Sequence, residues 1–436
     1  MRQRIKELLG LKSETQVCIC GFIKTVRNKG KNLKFMIIDD GSSQIQATFL
    51  RTLLGEKMDV LDKISVNSVL KISGTINRTE LSKSGTEVLV TDLEVLSSAH
   101  TGLPIDISEE LESSLEKRLN WRHLDLRNPK KKLIFRIFSD FLKLSREYFY
   151  ARHLTEISSS KLMAAASESG AQVFQVNYFE RKAFLAQSPQ FYKQMAIAGG
   201  FEGVFEIGPV FRAEPSFTSR HTTEFTSLDV EIAYVETVED VMCFEEQWLA
   251  FTFSGLKELY SKQLEELYGI QINIPELPFP RISMTQAQAI VKSYGIECLE
   301  NSDLSSDGEK ALGRYVKEVF NSDFVFLTDF PWSVRPFYHM RSENKQITKS
   351  FDLIYCGTEI TTGAQREHRY DILCSQASEK LPDLNGIEDY LNFFKYGCPP
   401  HGGFGLSPAR VITCMLGLDN IREATLLPRD PKRLTP

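Results

Sequence analysis

The sequence predicts an α+β chain: a small five-stranded β-barrel followed by a larger, mainly antiparallel sheet flanked by helices. Three observations carry this. Residues 1–98 hold five short alternating or β-branched segments separated by turn residues. Beyond about residue 151, strand-like segments recur as hairpins, without the strand–helix–strand rhythm of a doubly wound parallel sheet. The length, 436 residues, exceeds one usual domain.

The elements follow in order. Val17–Ile23 opens as a strand, Lys34–Gly41 is a strand running into a turn, and Gln44–Phe49 alternates and closes a hairpin with it. Val69–Ile76 and Thr86–Thr91 supply two more strands, with a helical segment near Leu53–Leu61. Gly41 and Gly74 stand where a tight turn or bend is needed. Five short strands and one helix suit a Greek-key barrel of the oligonucleotide-binding (OB) type. Residues 99–128 read as a connector, with Pro104 and an acidic run over 109–116. Leu133, Ile134, Ile137, Phe138, Phe141 and Leu142 then recur at helical spacing, as core or subunit-contact positions. Hairpins are expected for 203–212 with 225–236 and for 348–356 with 357–363, and one long amphipathic helix for Val238–Gln263. The domain organisation expected is a barrel over 1–98, a hinge over 99–128 and a larger domain over 129–436.

Composition narrows the class. The chain is 42% hydrophobic and 25% charged, as in an ordinary globular protein. It has no apolar run of membrane-spanning length, and its first residues have no signal-like apolar core. Eight scattered cysteines without metal-ligand spacing read as core thiols in a reducing cytoplasm. Net charge is −5, but residues 1–98 hold 15 Lys and Arg against 11 Asp and Glu, so they carry +4 and the remainder −9. A basic small domain on an acidic large one suits a nucleic-acid-reading module attached to an enzyme. No Walker A and no dinucleotide-type glycine fingerprint occurs, so any nucleotide must be held by other means.

The residues from Phe211 to Phe225 supply such means. Arg212 and Glu214 lie two apart, Arg220 and His221 follow in a short loop, and Asp229 and Glu231 return on the next segment. A cationic loop between strands can hold a triphosphate, and flanking acids can grip a base or a metal. This hairpin resembles the second signature motif of the class II aminoacyl-tRNA synthetases, in the aspartyl/asparaginyl group.

Further segments resemble aspartyl members of that family, of the archaeal and eukaryotic type, over nearly the whole chain. Arg118 to Arg127 resembles their hinge, and Ser167–Ala171 their mobile substrate-covering loop, with Glu168 as the implied ammonium partner. Gln187 to Gln194 matches an aspartate-binding octet containing Gln190 and Lys193, a pattern the asparaginyl members lack. Lys349–Tyr355 with Gly357–Arg366 matches the strand pair in which Glu359 and Thr362 are implied to bind Mg²⁺ with ATP, and Arg366 the substrate carboxylate. A planar Arg fork suits a carboxylate bidentately. Plain alternation puts Glu359, Thr361 and Gly363 on one face and Ile360, Thr362 and Ala364 on the other. His401–Gly405 to Arg410 resembles the third motif, and Leu427–Pro436 the family's ending.

The resemblance implies an OB-fold anticodon-binding domain and a class II catalytic domain. It implies an aspartate–tRNA ligase reaction with ATP, Mg²⁺, L-aspartate and tRNA(Asp), in a cytoplasmic homodimer without membrane contact. Arg212 would meet the α-phosphate, Arg220 and His221 the β- and γ-phosphates, and Arg410 the adenine face and γ-phosphate. Glu214 would hold the adenine amino group, Phe225 would stack on the ring, and Asp229 would support the substrate ammonium. Lys193 and Arg366 together would offer the side-chain carboxylate two cations and only donors. In the barrel, Phe35 and Gln46 match the positions that stack on and read the central anticodon base, with Arg27 as a further phosphate or base contact.

Two places depart from the family pattern. Ser160 replaces the first motif's proline, and Ser407-Pro408-Ala409 replaces a Gly-Leu-Glu stretch before Arg410. Pro408 fits a helix only in its first turn. Two other readings share the motifs: a divergent paralogue delivering aspartyl-adenylate to another acceptor, and a catalytically inactive RNA-binding regulator. The Lys29–Lys31 and Ser82–Gly85 loops differ from those of strict tRNA readers, so tRNA(Asn) is expected as a second acceptor.

Overall fold

The computed structural model describes residues 2–436 apart from 81, 83, 108–112, 165–171, 216, 300, 382 and 385. The chain divides into two compact units, 1–106 and 107–436.

In the first unit, β1 (Gln16–Asn28), β2 (Leu33–Asp39), β3 (Gln44–Leu50), β4 (Val69–Arg78) and β5 (Thr86–Ser97) close a barrel in the order β1-β2-β3-β5-β4. Among the described residues of this unit, β3 and β5 are the one parallel pair. Alternation does what it predicts: Lys34, Met36 and Ile38 of β2 are buried, and Phe35 and Ile37 face outward. The interior is aliphatic, from Ile19, Ile38, Ile72 and Val88 among others. Lys34 is buried with an ion pair to Asp62. Gly41 turns at φ +83°. Gly74 lies at a register shift between β4 and β5, where a Cβ would stand 2.2 Å from the Leu89 carbonyl oxygen.

In the second unit, eight strands form one sheet in the order 281–283, 324–328, 350–355, 358–365, 401–406, 224–233, 203–211 and 155–156. The outermost pair at each end is parallel and the remaining pairs are antiparallel. The helices Pro129–Ala151 and Val238–Tyr268 contribute Phe141, Phe149, Trp248 and Phe253 to the core beneath this sheet. The first helix starts where Asn128 accepts from the Lys130 and Lys131 N–H groups, with Pro129 at its first position. The second runs five residues past the expected Gln263. It stops at Gly269, whose φ of +69° permits the left-handed cap.

Among the described residues no helix is long and apolar enough to cross a membrane.

Candidate active site and nucleic-acid face

The sheet's open face carries a cavity of about 730 Å³. Its lining includes Gln190, Arg212, Glu214, Arg220, His221, Phe225, Asp229, Glu359, Thr362, Arg366 and Arg410. Lys193 lies directly beneath, fully buried, against Asp229. Residues from four separate sequence segments therefore converge on one space. Glu168 lies outside the described residues.

The hairpin 203–211/224–233 pairs without a shift, which puts Arg212 at its tip, bonded through its N–H to the Thr223 carbonyl at 2.9 Å. The Arg212 guanidinium lies 5.5 Å from the Phe225 ring centre. In the loop, Thr218 Oγ1 meets His221 Nδ1 at 2.6 Å, and His221 Nε2 is 3.7 Å from Glu214. Burial, then the nearby Arg410, lowers the His221 pKa, so the ring is neutral at pH 7.

The strand 358–365 corrects the alternation expected for it. Its register slips against 350–355: Glu359 pairs with Ile354, yet Thr361 pairs with Leu353 and Thr362 with Asp352. Ile360 is the extra residue, buried in the core. This bulge reverses the side-chain phase, so Glu359 and Thr362 share the cavity face and lie 3.3 Å apart. Asp352 is opposite Thr362 on the neighbouring strand and is buried. Arg335 donates to its Oδ2 at 2.6 Å, and among the described residues its Oδ1 has no hydrogen-bond partner. Burial, helped by Glu359 and Asp303, raises the Asp352 pKa to about 7. Burial also disfavours a charged Glu359, but Arg410, Arg335, Arg212 and Arg220 outweigh it and hold its pKa low. Arg410 donates to the Glu359 carbonyl at 2.9 Å. An ionised Glu359 and the Thr362 hydroxyl form an oxygen-only donor pair on the cavity wall. Such a pair suits a hard divalent cation that keeps water or phosphate ligands.

The departure before Arg410 is resolved by the fold. Pro408 is the first residue of the helix Pro408–Met415, and Ser407 is its N-cap, accepting from the Arg410 N–H. The missing proline N–H is one no helix would have used.

The cavity floor corrects the expectation of two cations with only donors. Lys193 Nζ is 2.9 Å from Asp229 and 3.5 Å from Glu231. Arg366 donates through Nε to Glu231 at 2.9 Å, and through Nη2 to Gln190 Oε1 at 3.2 Å and to the Gly403 carbonyl at 2.9 Å. Two buried acids thus already balance two buried cations, because burying unpaired charge is costly. Glu231 is fully buried. Burial alone would raise its pKa, but Arg366 and Lys193 overcome that and lower it. His339 completes the ring by accepting from Arg366 Nη1 at 2.9 Å. Burial first, then Arg366, pushes its pKa well down, so it stays neutral and can accept. Arg335, His339 and the roles of Glu231 and Asp352 are absent from the sequence reading. The two acids lie inside quoted motifs, where alternation alone gives the signal.

Behind the same strand, Thr361 faces Glu245 of the helix Val238–Tyr268. Glu245 is fully buried and its pKa is raised to about 8, chiefly by burial. A raised carboxyl pKa contributes no penalty below its ordinary value of 4.5 and an increasing one up to about 8. Glu245→Gln is therefore expected to flatten the stability–pH profile across that window. The recovered stability is about 1.4 kcal/mol per pH unit at most. Urea midpoints at pH 5.5 and pH 8 check this; equal gains at both would contradict it.

In the barrel, Arg27 is opposite Phe35, Phe35 is opposite Thr48, and Gln46 is opposite Ile37. Arg27, Phe35 and Gln46 therefore lie on the face turned away from the barrel core, where Arg27 is exposed, Phe35 half-buried and Gln46 buried. Glu87, unassigned by sequence, organises it. Its carboxylate accepts from Gln46 Nε2 at 2.9 Å, Thr48 Oγ1 at 2.6 Å and Asn77 Nδ2 at 2.8 Å. The first bond turns the Gln46 amide so that its oxygen remains as an acceptor.

A barrel with an outward aromatic and amide, and an antiparallel sheet bearing paired arginines around an acidic strand, define a nucleotide-using enzyme with a nucleic-acid-binding module. The profile of the tRNA synthetases class II (D, K and N) matches residues 114–431, and that of the OB-fold nucleic acid binding domain matches 17–96. The chain belongs to this class II family. It is 43% identical to the aspartate–tRNA(Asp/Asn) ligase of Aeropyrum pernix and 40% identical to the aspartate–tRNA(Asp) ligase of Pyrococcus horikoshii. Each alignment covers 97% of this chain and 96% of the relative. Among solved structures, asparaginyl-tRNA synthetase from Pyrococcus horikoshii, complexed with asparaginyl-adenylate, superposes with a TM-score of 0.92 at 31% identity, covering both chains fully. A putative aspartyl-tRNA synthetase from Leishmania major gives 0.89 at 32%, covering 100% of this chain and 95% of that one. The fold is thus common to aspartyl and asparaginyl enzymes, and the amino acid must be argued from the cavity floor and the relatives.

Proposed function

We propose that the chain activates L-aspartate with ATP and transfers the aspartyl group to the 3′ end of tRNA(Asp). The observation that carries this is the convergence of Lys193, Arg366, Asp229 and Gln190 on the floor of the cavity that Arg212, Arg220 and Arg410 line. The aspartate α-carboxylate attacks the α-phosphorus of ATP, an oxygen–phosphorus bond forms, and the bond to pyrophosphate breaks. No proton needs to move in that step, so positioning and charge neutralisation do the catalysis. Arg212 neutralises the α-phosphate, Arg220 and His221 hold the β- and γ-phosphates, and Arg410 supports the adenine face and γ-phosphate. Phe225 stacks on the adenine, and Glu214 accepts from its amino group. Glu359 and Thr362 are the residues that would hold Mg²⁺. When bound, this ion offsets phosphate charge. Lys193, Arg366 and Gln190 orient the substrate side chain, and Asp229 faces its ammonium. A terminal ribose hydroxyl of tRNA then attacks the adenylate carbonyl, and AMP leaves.

Residues 1–98 read the anticodon, 99–128 form the hinge and 129–436 carry the chemistry. Gln46 presents its amide oxygen to an N–H edge while Phe35 stacks on the base. Phe35→Ala is expected to lower kcat/KM for tRNA charging by about 1–3 kcal/mol while leaving amino-acid-dependent pyrophosphate exchange unchanged. Parallel charging and exchange assays check it; equal losses in both would count against an anticodon role. The eight free thiols suit a reducing cytoplasm. Two copies associate through the segment containing Ser160, which is exposed in the single chain. Sedimentation would show a dimer.

The deciding experiment is pyrophosphate exchange with each amino acid, followed by charging of tRNA(Asp) and tRNA(Asn) transcripts. Aspartate exchange with charging of both is expected. Exchange without charging points to a paralogue with another acceptor, and no exchange with any amino acid points to an inactive regulator. A large preference for tRNA(Asp) removes tRNA(Asn) as a substrate.

A further inference from the structure

Glu309, on the helix Ser306–Phe320, lies outside every motif used above. Its side chain is 13% exposed and forms an ion pair with Arg220. The same carboxylate oxygen, Oε2, also accepts from the Glu359 backbone N–H at 2.9 Å. One atom thus ties the cationic loop to the start of the strand that carries Glu359 and Thr362. Arg220 and Glu359 both line the cavity, and Arg410, which donates to the Glu359 carbonyl, lines it beside them.

The helix is seated so that this carboxylate is delivered accurately. Gly313, one turn beyond Glu309, meets the 356–357 turn through backbone alone: a Cβ there would stand 2.7 Å from the Gly357 Cα and N. Gly357 itself has φ +73°, and a Cβ on it would lie 2.9 Å from the Lys310 Cα. Ser305 caps the helix start, accepting from the Gly308 N–H at 3.2 Å. Backbone-to-backbone contact leaves little slack between the helix and the turn that leads into Glu359.

We propose that Glu309 is a positioning residue that holds Arg220 and the Glu359 strand in one frame, and so sets affinity for the β- and γ-phosphates. It does not touch the substrate; it fixes a long, flexible arginine whose ordering would otherwise oppose binding. This rests on the adenylation reading and adds to it which residue tunes triphosphate and pyrophosphate recognition. On the roles assigned above, aspartate and the AMP portion of the nucleotide are held by other residues.

The test is calorimetric titration of the full-length protein with ATP, pyrophosphate and AMP, together with exchange kinetics, for wild type, Glu309→Ala and Glu309→Gln. Glu309→Ala is expected to weaken ATP and pyrophosphate about tenfold or more, as losing one charged hydrogen bond does. AMP affinity and the KM for aspartate should stay unchanged, and kcat at saturating ATP should fall less than kcat/KM. Glu309→Gln, which keeps an acceptor but no charge, should recover part of the loss. Unchanged or tighter ATP binding overturns the proposal. So does an equal loss for AMP, or a folded Gln variant with no recovery, since either places the effect in general packing. If wild type shows no aspartate-dependent exchange, the adenylation reading fails, while the comparison of ATP with AMP still decides the role of Glu309.

Discussion

Arg212→Ala is expected to remove adenylation while leaving tRNA binding nearly intact. Arg212 sits at the tip of an unshifted hairpin, its backbone pinned to Thr223, and its guanidinium lies over the Phe225 ring. It is one of four arginines that keep Glu359 ionised despite burial. A preorganised cation facing charge that develops in the transition state is worth about 3–4 kcal/mol, or 10²–10³ in rate. The barrel face, centred on Glu87, belongs to the other compact unit. Pyrophosphate exchange and filter binding of tRNA separate the two effects. Exchange near the wild-type rate would refute the role assigned to Arg212.

Lys193→Met should cost both selectivity and stability. In wild type, aspartate is expected to be used in strong preference to asparagine, since polar mismatch in a donor-rich pocket can reject an analogue by up to about 10⁴–10⁵. The acids Asp229 and Glu231 already occupy several of the donors, so discrimination should fall below that ceiling. Removing the ammonium leaves two buried carboxylates facing one guanidinium. Losing one partner of a buried pair typically costs about 3–5 kcal/mol. The sign with pH follows from Glu231. In wild type its folded pKa lies below 4.5, so its pairing stabilises above that pH and the benefit is lost on acidification. Without Lys193 that pKa rises, and the deficit of the variant grows as pH increases. Melting at pH 5 and pH 8, with exchange kinetics for aspartate and asparagine, reads both effects. Adding Asp229→Asn should restore part of the stability by removing one unpaired acid, without restoring selectivity. Full aspartate selectivity in Lys193→Met, or a wild-type preference for asparagine, would contradict this account of the pocket.

Legible along the chain was whatever depends on neighbouring residues. Alternation placed the barrel strands, helical spacing placed the core face of Pro129–Ala151, and motifs resembling the family's marked Phe35, Arg212, Glu214, Arg220, Lys193, Glu359, Arg366 and Arg410 as candidates. These signals are local, because side-chain direction in a strand or helix follows from a fixed period. Tertiary structure decided the rest. The bulge at Ile360 reversed the phase that alternation assumed, and so put Glu359 and Thr362 on one face. The helix start at Ser407 made Pro408 harmless. Glu231 between Lys193 and Arg366, Glu87 behind Gln46, and Glu309 between Arg220 and the Glu359 N–H are contacts across long sequence separations. Periodicity has no term for such pairs. The charge balance of the cavity floor emerges only when the sheet and its helices bring those segments together and exclude water, where each buried charge must find a partner.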